Sequence, residues 1–315
     1  MGLRGHRAMF RFGICTEEQY RLTVEGRVPS SIAWSLLRFN GNPTAEQVRL
    51  FEDITRRTRT SNGTHRTSFA RRFADLDIVT LDWMKRLFPS DEELRIQDRA
   101  ASHCLTSWEL AQCVFPAFPK ACLEASDRVL HLLQLSLSSG ETYILEPDGQ
   151  PLQYIRPPIV VSLSGNEPRR YPVNRLIARW AAWRLKRMRR PAGSQARSMG
   201  GLPVVRLSCI HPVAAGAAAA DTRFQIHERS VFDATAASCH VLRTMNILNL
   251  AYFSPKQLSS AAGAAFESVS LNGLWVVGRT REEDSSNHAT FFARRQRGWE
   301  VLGRFGAGSE IEEFV

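Results

Sequence analysis

The stretch LRIQDRAASHCLTSWELA, residues 94–111, decides how this chain is read. Leu94 to Gln97 is a short strand candidate. Small residues follow at once, Ala100, Ala101 and Ser102, and a helix is predicted from Thr106 to Val114. Working outward, the same β-turn-α sequence recurs. Ala121 to Ala125 is a second strand candidate, and Ser126-Asp127 at its end is read as opening a helix through Leu137. Val204 to Ile210 is an apolar run fit for a buried strand, and Ala214 to Ala220 is low-complexity. Phe224 to Phe232 and His240 to Leu248 are further strand candidates. Ser254-Pro255 starts a helix ending near Val269, with serine at the N-cap and proline at the first helical position. Asn272-Gly273 reads as a turn before a strand from Leu274 to Gly278. Ala289 to Arg294 and Trp299 to Arg304 read as a C-terminal antiparallel pair. Strands alternating with helices imply an α/β fold, a parallel sheet with helices on its faces. Such sheets bind ligands at the carboxyl ends of their strands. That directs attention to Asp98–Ser107, Ser126-Asp127, Ser230–Asp233 and Asn246–Tyr252.

The flanks of this region have a different texture. Residues 1–88 are expected to form a helical N-terminal region. Thr16 is a candidate cap for one helix. Thr44 is a better one, with Gln47 three residues on and Val48, Leu50, Phe51 and Ile54 at helical spacing. Ser61-Asn62-Gly63 is a turn, and Asp82 to Phe88 a short helix ended by Pro89. Residues 89–315 are expected to form the α/β domain, with an insertion over about 138–203. Within the insertion, Gly140 to Ile155 reads as a β-hairpin around Pro147-Asp148-Gly149. Asn174 to Met188 reads as a basic amphipathic helix, with Leu176, Ile177, Trp180 and Trp183 on one side and Arg175, Arg179, Lys186 and Arg190 on others. Pro191 to Gly201 follows as a linker.

The formal net charge is +10, and its location matters more than its size. Residues 169–197 hold 10 basic residues and no acidic one, a charge equal to the whole excess. A local patch suggests a local partner surface. Three readings stay open for it: a solvated helix with its Trp side packed on the domain, a helix lying on an anionic membrane surface, or a grip on an acidic protein or nucleic acid. Nucleic acid is the less favoured, because no stacking platform or RNA-binding motif accompanies the charge. The six cysteines form no CxxC pair, which argues against a zinc site and a disulfide scaffold. No apolar run approaches the roughly 20 residues that cross a bilayer. Met1 to Arg11 is basic but has no apolar run after it, so no signal peptide is expected. The expectation is a cytoplasmic protein, with the membrane surface as the one alternative station.

At the strand ends the sequence resembles the methyltransferases that modify chemotaxis receptors, within the wider class I S-adenosylmethionine-dependent superfamily. Ala100 to Ala111 lies where that family has its small-residue turn and helix after the first strand. Ala125-Ser126-Asp127 resembles the acid closing the second strand. The run from Phe224 through Asp233 to Arg243–Phe253, continuing into Leu271–Gly278, is similar to the family's fourth strand, its Asn-containing turn ending in Tyr-Phe, the next helix and the turn into strand five. The resemblance covers about two thirds of the chain. The sequence departs from it in having no glycine in the turn after Asp98, Leu105 and Thr106 in place of an acidic pair, and two extra residues between Asn246 and Tyr252.

The resemblance implies a Rossmann-like sheet, parallel with a C-terminal antiparallel strand pair, and S-adenosylmethionine as cofactor. It implies a cofactor site of Asp98, Ala100, Ala101, Ser102, Thr106, Asp127, Ser230, Val231, Phe232 and Asn246. Asp127 would accept from the ribose hydroxyls, and Ala100 to Ser102 would lie against the methionine part. Thr106 would bond its carboxylate near a helix start. Ser230, Val231 and Phe232 would flank the adenine, and Asn246 would sit beside the sulfonium. The implied activity is methyl transfer to an oxygen or nitrogen of an unidentified acceptor. The alternative is a methyltransferase fold that binds through its basic helix without turnover. Plainer roles stand beside these: Asp127 as a helix N-cap, Asp98 paired with a surface arginine, Asn246 and Asn249 as turn residues, Tyr252-Phe253 as core packing, His211 as structural. No catalytic residue is assigned, and no metal site is expected.

Overall fold

The computed structural model describes residues 43–57, 60–61, 66, 68–156, 159–163, 172–188, 198–199, 202–235, 239–281 and 283–315. These divide into two compact units, one built on residues 68–130 and 210–315, the other on 131–209 with the described residues up to 67. The predicted turn at Ser61-Asn62-Gly63, the helix start at Thr16 and the linker 191–201 fall wholly or largely outside the described residues.

The first unit is a seven-stranded sheet. Its strands are β1 (Arg95–Arg99), β2 (Cys122–Asp127), β9 (Phe224–Glu228), β10 (Cys239–Met245), β11 (Val269–Thr280), β12 (Asn287–Arg295) and β13 (Gly298–Phe305). The spatial order is β13-β12-β11-β10-β1-β2-β9. Pairing is parallel from β9 through β11 and antiparallel from β11 to β13. The first five strands in chain order therefore lie 3-2-1-4-5, the Rossmann-like arrangement, and its direction reverses between β1 and β10. The expected parallel sheet with a C-terminal antiparallel pair is what the chain forms.

Period-two alternation sends neighbouring residues to opposite faces. Ile96, Val241, Leu274 and Val276 pack on one face against α2 (Ala74–Leu87), α3 (Leu105–Val114) and α5 (Pro212–Ala220). Leu242, Trp275, Val277 and Phe292 pack on the other against α6 (Pro255–Ser268). A strand covered on both faces reads as one apolar run, which is why Leu274 to Val277 was legible. Trp275 is fully buried, and its indole lies 4.8 Å from the Trp299 ring and 5.4 Å from Phe292.

The second unit is a wholly antiparallel sheet. Its order is β6-β5-β4-β3-β8-β7, from β3 (His131–Ser136), β4 (Thr142–Leu145), β5 (Pro151–Arg156), β6 (Ile159–Ser162), β7 (Ser198–Met199) and β8 (Leu202–Ser208). The predicted hairpin is present: Tyr143 faces Tyr154, and Gly149 takes φ 82° in the turn. The basic helix α4 (Pro172–Met188) packs Ala181 and Leu185 into the core that Leu135, Tyr143 and Tyr154 form. Arg184 of α4 reaches the buried Glu141 at 2.8 Å, and Tyr154 donates to the same carboxylate at 3.0 Å. α1 (Ala45–Arg57) starts with the expected reciprocal box, Thr44 N–H to Gln47 Oε1 at 2.8 Å and Gln47 N–H to Thr44 Oγ1 at 3.2 Å.

Five expectations are corrected. No helix follows Asp127: residues 131–136 are β3, because Leu132, Leu133 and Leu135 pair across strands rather than along a helix. Val204 to Ile210 contributes β8 to the antiparallel sheet, not a strand to the parallel one. The helix expected from Asp82 begins at Ala74, eight residues earlier, burying Leu76, Thr80 and Met84 at four-residue spacing despite the β-branched Ile78-Val79-Thr80. Asn272-Gly273 is no turn between elements but a bulge inside β11, with Asn272 at φ 64° and the register shifting opposite Cys239–Val241. On α4, Ile177 lies on the packed side, while Leu176 and Trp183 stay 65% and 51% exposed and Trp180, 39% exposed, touches Tyr154 only edge-on, so the Trp side is not the face the helix buries.

Candidate functional site

The strand order reverses between β1 and β10, and sheets of this kind hold ligands at the carboxyl ends of the strands beside such a point. β1 ends at Arg99, and the chain turns through residues 100–104 into α3. Ala100, Ser102 and Cys104 all have left-handed backbone, with φ 60°, 56° and 65°. Every second residue is thus in the region that favours glycine, each at a cost of about 1–2 kcal/mol for an L-residue. The turn is held from two sides. Ala101 N–H donates to the Ser126 carbonyl at 2.9 Å, and Ser102 N–H donates to Asp127 Oδ2 at 2.8 Å. Ala101 is buried in the core, while Ala100 and Ser102 are half-buried.

Asp127 closes β2 and binds two loops. Its Oδ2 takes the Ser102 amide and its Oδ1 the Val129 amide at 3.0 Å. Its carboxylate therefore caps no helix but ties the β1 turn to the β2 end. It remains half-buried. β9 ends beside it, with Arg229 N–H on the Asp127 carbonyl at 3.0 Å. Ser230, Val231 and Phe232 then form a compact turn: Ser230 N–H donates to Asp233 at 2.9 Å, and Phe232 N–H to Ser230 Oγ at 3.3 Å. Val231 and Phe232 are half-buried, and the Phe232 ring meets Phe253 edge to face at 5.2 Å.

Asn246 follows β10 in left-handed conformation, φ 58°, which asparagine tolerates better than most residues. Its amide donates to the Gly278 carbonyl at 2.8 Å, and its Oδ1 accepts from Thr280 N–H at 2.6 Å. Asn249 Oδ1 accepts from Ala251 N–H at 3.0 Å, an ordinary turn bond. Of the Tyr-Phe pair, Phe253 packs and Tyr252 is 36% exposed.

Asp98 and Thr106 are both buried. Asp98 is 2% exposed, opposite Arg243 in register, and bonds Arg243 Nη2 and Ser107 Oγ, each at 2.6 Å. The expected pairing with an arginine is there, but that arginine is buried, not on the surface. Arg243 Nη1 also meets Asp77 of α2 at 2.5 Å, and Nη2 donates to the Thr106 carbonyl at 2.9 Å. Two buried carboxylates thus share one guanidinium. Burial, with Asp98 nearby and against the pull of Arg243, pushes the Asp77 carboxyl up to about 7. His211 is an N-cap whose ring accepts from Val213 N–H at 3.2 Å.

Several groups at this edge carry no local sequence signal. Arg72 donates from Nε to Thr280 Oγ1 at 3.1 Å, and its guanidinium lies 5.4 Å from both the Phe69 and Phe73 rings. Its carbonyl accepts from Asn287 Nδ2 at 2.8 Å. Thr280 also receives Asn246 Nδ2 at 3.4 Å, so Arg72, Thr280 and Asn246 are linked. Arg71 N–H is held by both oxygens of Glu109, at 2.8 and 2.9 Å. Arg72 and Thr280 are 208 residues apart in sequence, so only the fold reveals their contact. Among the described residues, no group of three or more His, Cys, Asp or Glu side chains could hold a metal ion.

No protein-family model matches the chain. No curated protein matches it. Among solved structures it is similar to the S-adenosylmethionine-dependent methyltransferase SibL in its apo form, with 13% identity over 67% of this chain and 37% of that one, TM-score 0.30. It is also similar to the sugar N-methyltransferase KedS8 from a Streptoalloteichus species, with 10% identity, 77% and 76% coverage and TM-score 0.33. A third is the amino pentose methyltransferase CalS10 from Micromonospora echinaspora, with 9% identity, 76% and 78% coverage and TM-score 0.32. The chain spans little more than a third of the SibL chain's length.

Proposed function

We propose that the unit built on residues 68–130 and 210–315 binds S-adenosylmethionine and transfers its methyl group to an oxygen or nitrogen of an acceptor. The observation that carries this reading is the alternating left-handed backbone at Ala100, Ser102 and Cys104. Backbone strain kept without glycine clusters at functional sites. This turn stands where a Rossmann-like sheet binds nucleotides. The antiparallel β12–β13 pair replaces the sixth parallel strand of a dinucleotide-binding sheet and so favours the methyltransferase version.

The residues at these strand ends support the reading by their chemistry. Asp127 closes β2, the position at which a carboxylate suits a ribose diol. Ser230 to Phe232 offer an apolar wall and a turn for an adenine. The start of α3, behind Ala100 to Ser102, favours a carboxylate. The cofactor supplies an already activated methyl group, so the protein's work is to hold an acceptor in line and to exclude water. Asn246, fixed by Gly278 and Thr280, and Arg72 beside it are the polar groups placed to orient an acceptor. Asp98 and Thr106 support the turn through Arg243 and need not touch the ligand.

Isothermal titration of the full chain with S-adenosylmethionine and S-adenosylhomocysteine tests this reading. Micromolar binding that weakens in Asp127→Ala is expected. Absence of heat at millimolar ligand, from protein folded by circular dichroism, would sink it. A second reading is the same fold binding without turnover. It is favoured by the Cβ atoms that Ala100, Ser102 and Cys104 bring to a turn normally lined by glycine. Tight cofactor binding with no product on a broad panel of oxygen and nitrogen acceptors would select it.

A further inference from the structure

α4 holds the small sheet with one side and, among its described side chains, leaves another side exposed. The packed side is Ile177, Ala181 and Leu185. Arg184 is spent on the buried Glu141 at 2.8 Å, which fixes the helix on the sheet. Two parallel stripes remain. Leu176, Trp180, Trp183 and Arg187 recur at i, i+4, i+7 and i+11, the line of one helix face. The three apolar members are 65%, 39% and 51% exposed. Arg175, Arg179 and Lys186 run beside them, one position over, and all are exposed. The segment 169–197 has no acidic residue to offset them.

An apolar stripe rich in Trp with a basic stripe alongside is the composition of a helix that lies in a lipid headgroup layer. Trp prefers that depth because its ring is apolar and its N–H is polar. Anionic headgroups complement the basic stripe. Nucleic acid would use the same charge but needs open aromatic faces for its bases. Here the Arg187 guanidinium lies 4.0 Å from the Trp183 ring centre and Arg184 5.3 Å from that of Trp180. The Trp180 ring also meets Tyr154 edge-on at 5.6 Å. Leu176 offers nothing to a base and a good deal to an acyl boundary.

We propose that the exposed face of α4 docks the protein on anionic membrane surfaces, with Leu176, Trp180 and Trp183 entering the interface and Arg175, Arg179 and Lys186 facing the headgroups. The docking is peripheral: among the described residues no helix is long and apolar enough to cross a membrane. It does not depend on the cofactor reading.

Sedimentation with vesicles of phosphatidylcholine containing phosphatidylserine, against pure phosphatidylcholine vesicles, tests it on the full chain. The expected result is binding to the anionic vesicles only, weakened by salt, with a blue shift of Trp emission. Each basic side chain near such a surface contributes about fivefold in affinity. The triple variant Arg175→Glu, Arg179→Glu, Lys186→Glu should therefore lose roughly a hundredfold or more. Leu176→Ser with Trp183→Ser should also weaken binding and remove most of the blue shift. These side chains are exposed, so all variants should keep the wild-type circular dichroism and melting point. No anionic-vesicle binding by the wild type overturns the proposal. So does binding that is lost on charge reversal but unmoved by the Leu176/Trp183 pair, because the apolar stripe then has no part. Binding of a single-stranded oligonucleotide that fails in both variants, without vesicle binding, overturns it in favour of nucleic acid.

Discussion

At the scale of single residues, the cluster around Arg243 is the least ordinary feature of the core. One guanidinium serves Asp77 and Asp98, so the buried set carries an excess negative charge when both are ionised. Burial raises Asp77 to about 7, well above the ordinary value near 3.8. Folding then takes up a proton between those two pH values. The stability that protonated Asp77 contributes is fully present below about pH 4 and is lost as pH rises to about 7, an effect on the order of a few kcal/mol. Asp77→Asn, which keeps an oxygen for Arg243 Nη1, should flatten this slope. Subtracting its urea-unfolding stability from the wild type's across that window should leave a curve that falls with pH and levels off above 7. A constant difference would mean Asp77 stays ionised.

Ala100 offers a second residue-scale test. Its φ of 60° is costly for alanine and free for glycine, and it is only half-buried. Relief of the left-handed strain should outweigh the extra freedom glycine gives the unfolded chain. Ala100→Gly is expected to stabilise by up to about 1 kcal/mol, read as a higher urea midpoint with unchanged slope. A lower midpoint would show that the turn stores no strain at this position. Cys104, also left-handed, is a poorer choice because its side chain is fully buried and glycine would leave a hole.

At the scale of elements, the bulge in β11 depends on glycine for space, not for dihedral freedom. A Cβ on Gly273 would lie 2.7 Å from Val269 Cγ1, 2.8 Å from the His240 carbonyl and 2.9 Å from that of Ser270. Two of the three neighbours are backbone and cannot rotate away. Gly273→Ala should cost about 1–3 kcal/mol through overpacking. Gly216, in α5 with nothing within 4 Å, is the matching control. Gly216→Ala should stabilise by about 0.5–1 kcal/mol from helix propensity alone. Equal effects at the two sites, by thermal or urea unfolding, would refute the distinction.

At the scale of the whole molecule, the sheet was legible because its strands carry strong local signals. Leu274 to Val277 is a continuous apolar run, Ser254-Pro255 a start signal, and Pro147-Asp148-Gly149 a turn. What stayed hidden was decided by long-range pairing. His131 to Ser136, rich in leucine, has the composition of a helix and becomes a strand only because β4 and β8 flank it. Val204 to Ser208 announces burial but not which sheet will take it. The candidate site was legible at its backbone positions, Ala100 to Ser102, Asp127, Ser230 to Phe232 and Asn246, which lie at the carboxyl edge of the parallel sheet. It was not legible at Arg72, Thr280 and Asn287, which lie far apart in sequence and have no local pattern. Nor could spacing reveal that Asp98 faces inward: that depends on Arg243 standing opposite it in the next strand.

That same register has a consequence for how the chain is made. Asp98 and Arg243 are 145 residues apart, and β1 has no parallel neighbour on that side until β10 arrives. At about 5–20 residues per second on a ribosome, roughly 7 to 30 s separate the emergence of the two strands. For that interval β1 exposes an unpaired edge of N–H and C=O groups that can pair with other unfinished copies as well as with its own future partner. Heavily expressed chains should therefore depend on slow translation or chaperone cover more than a protein of this size with local contacts would.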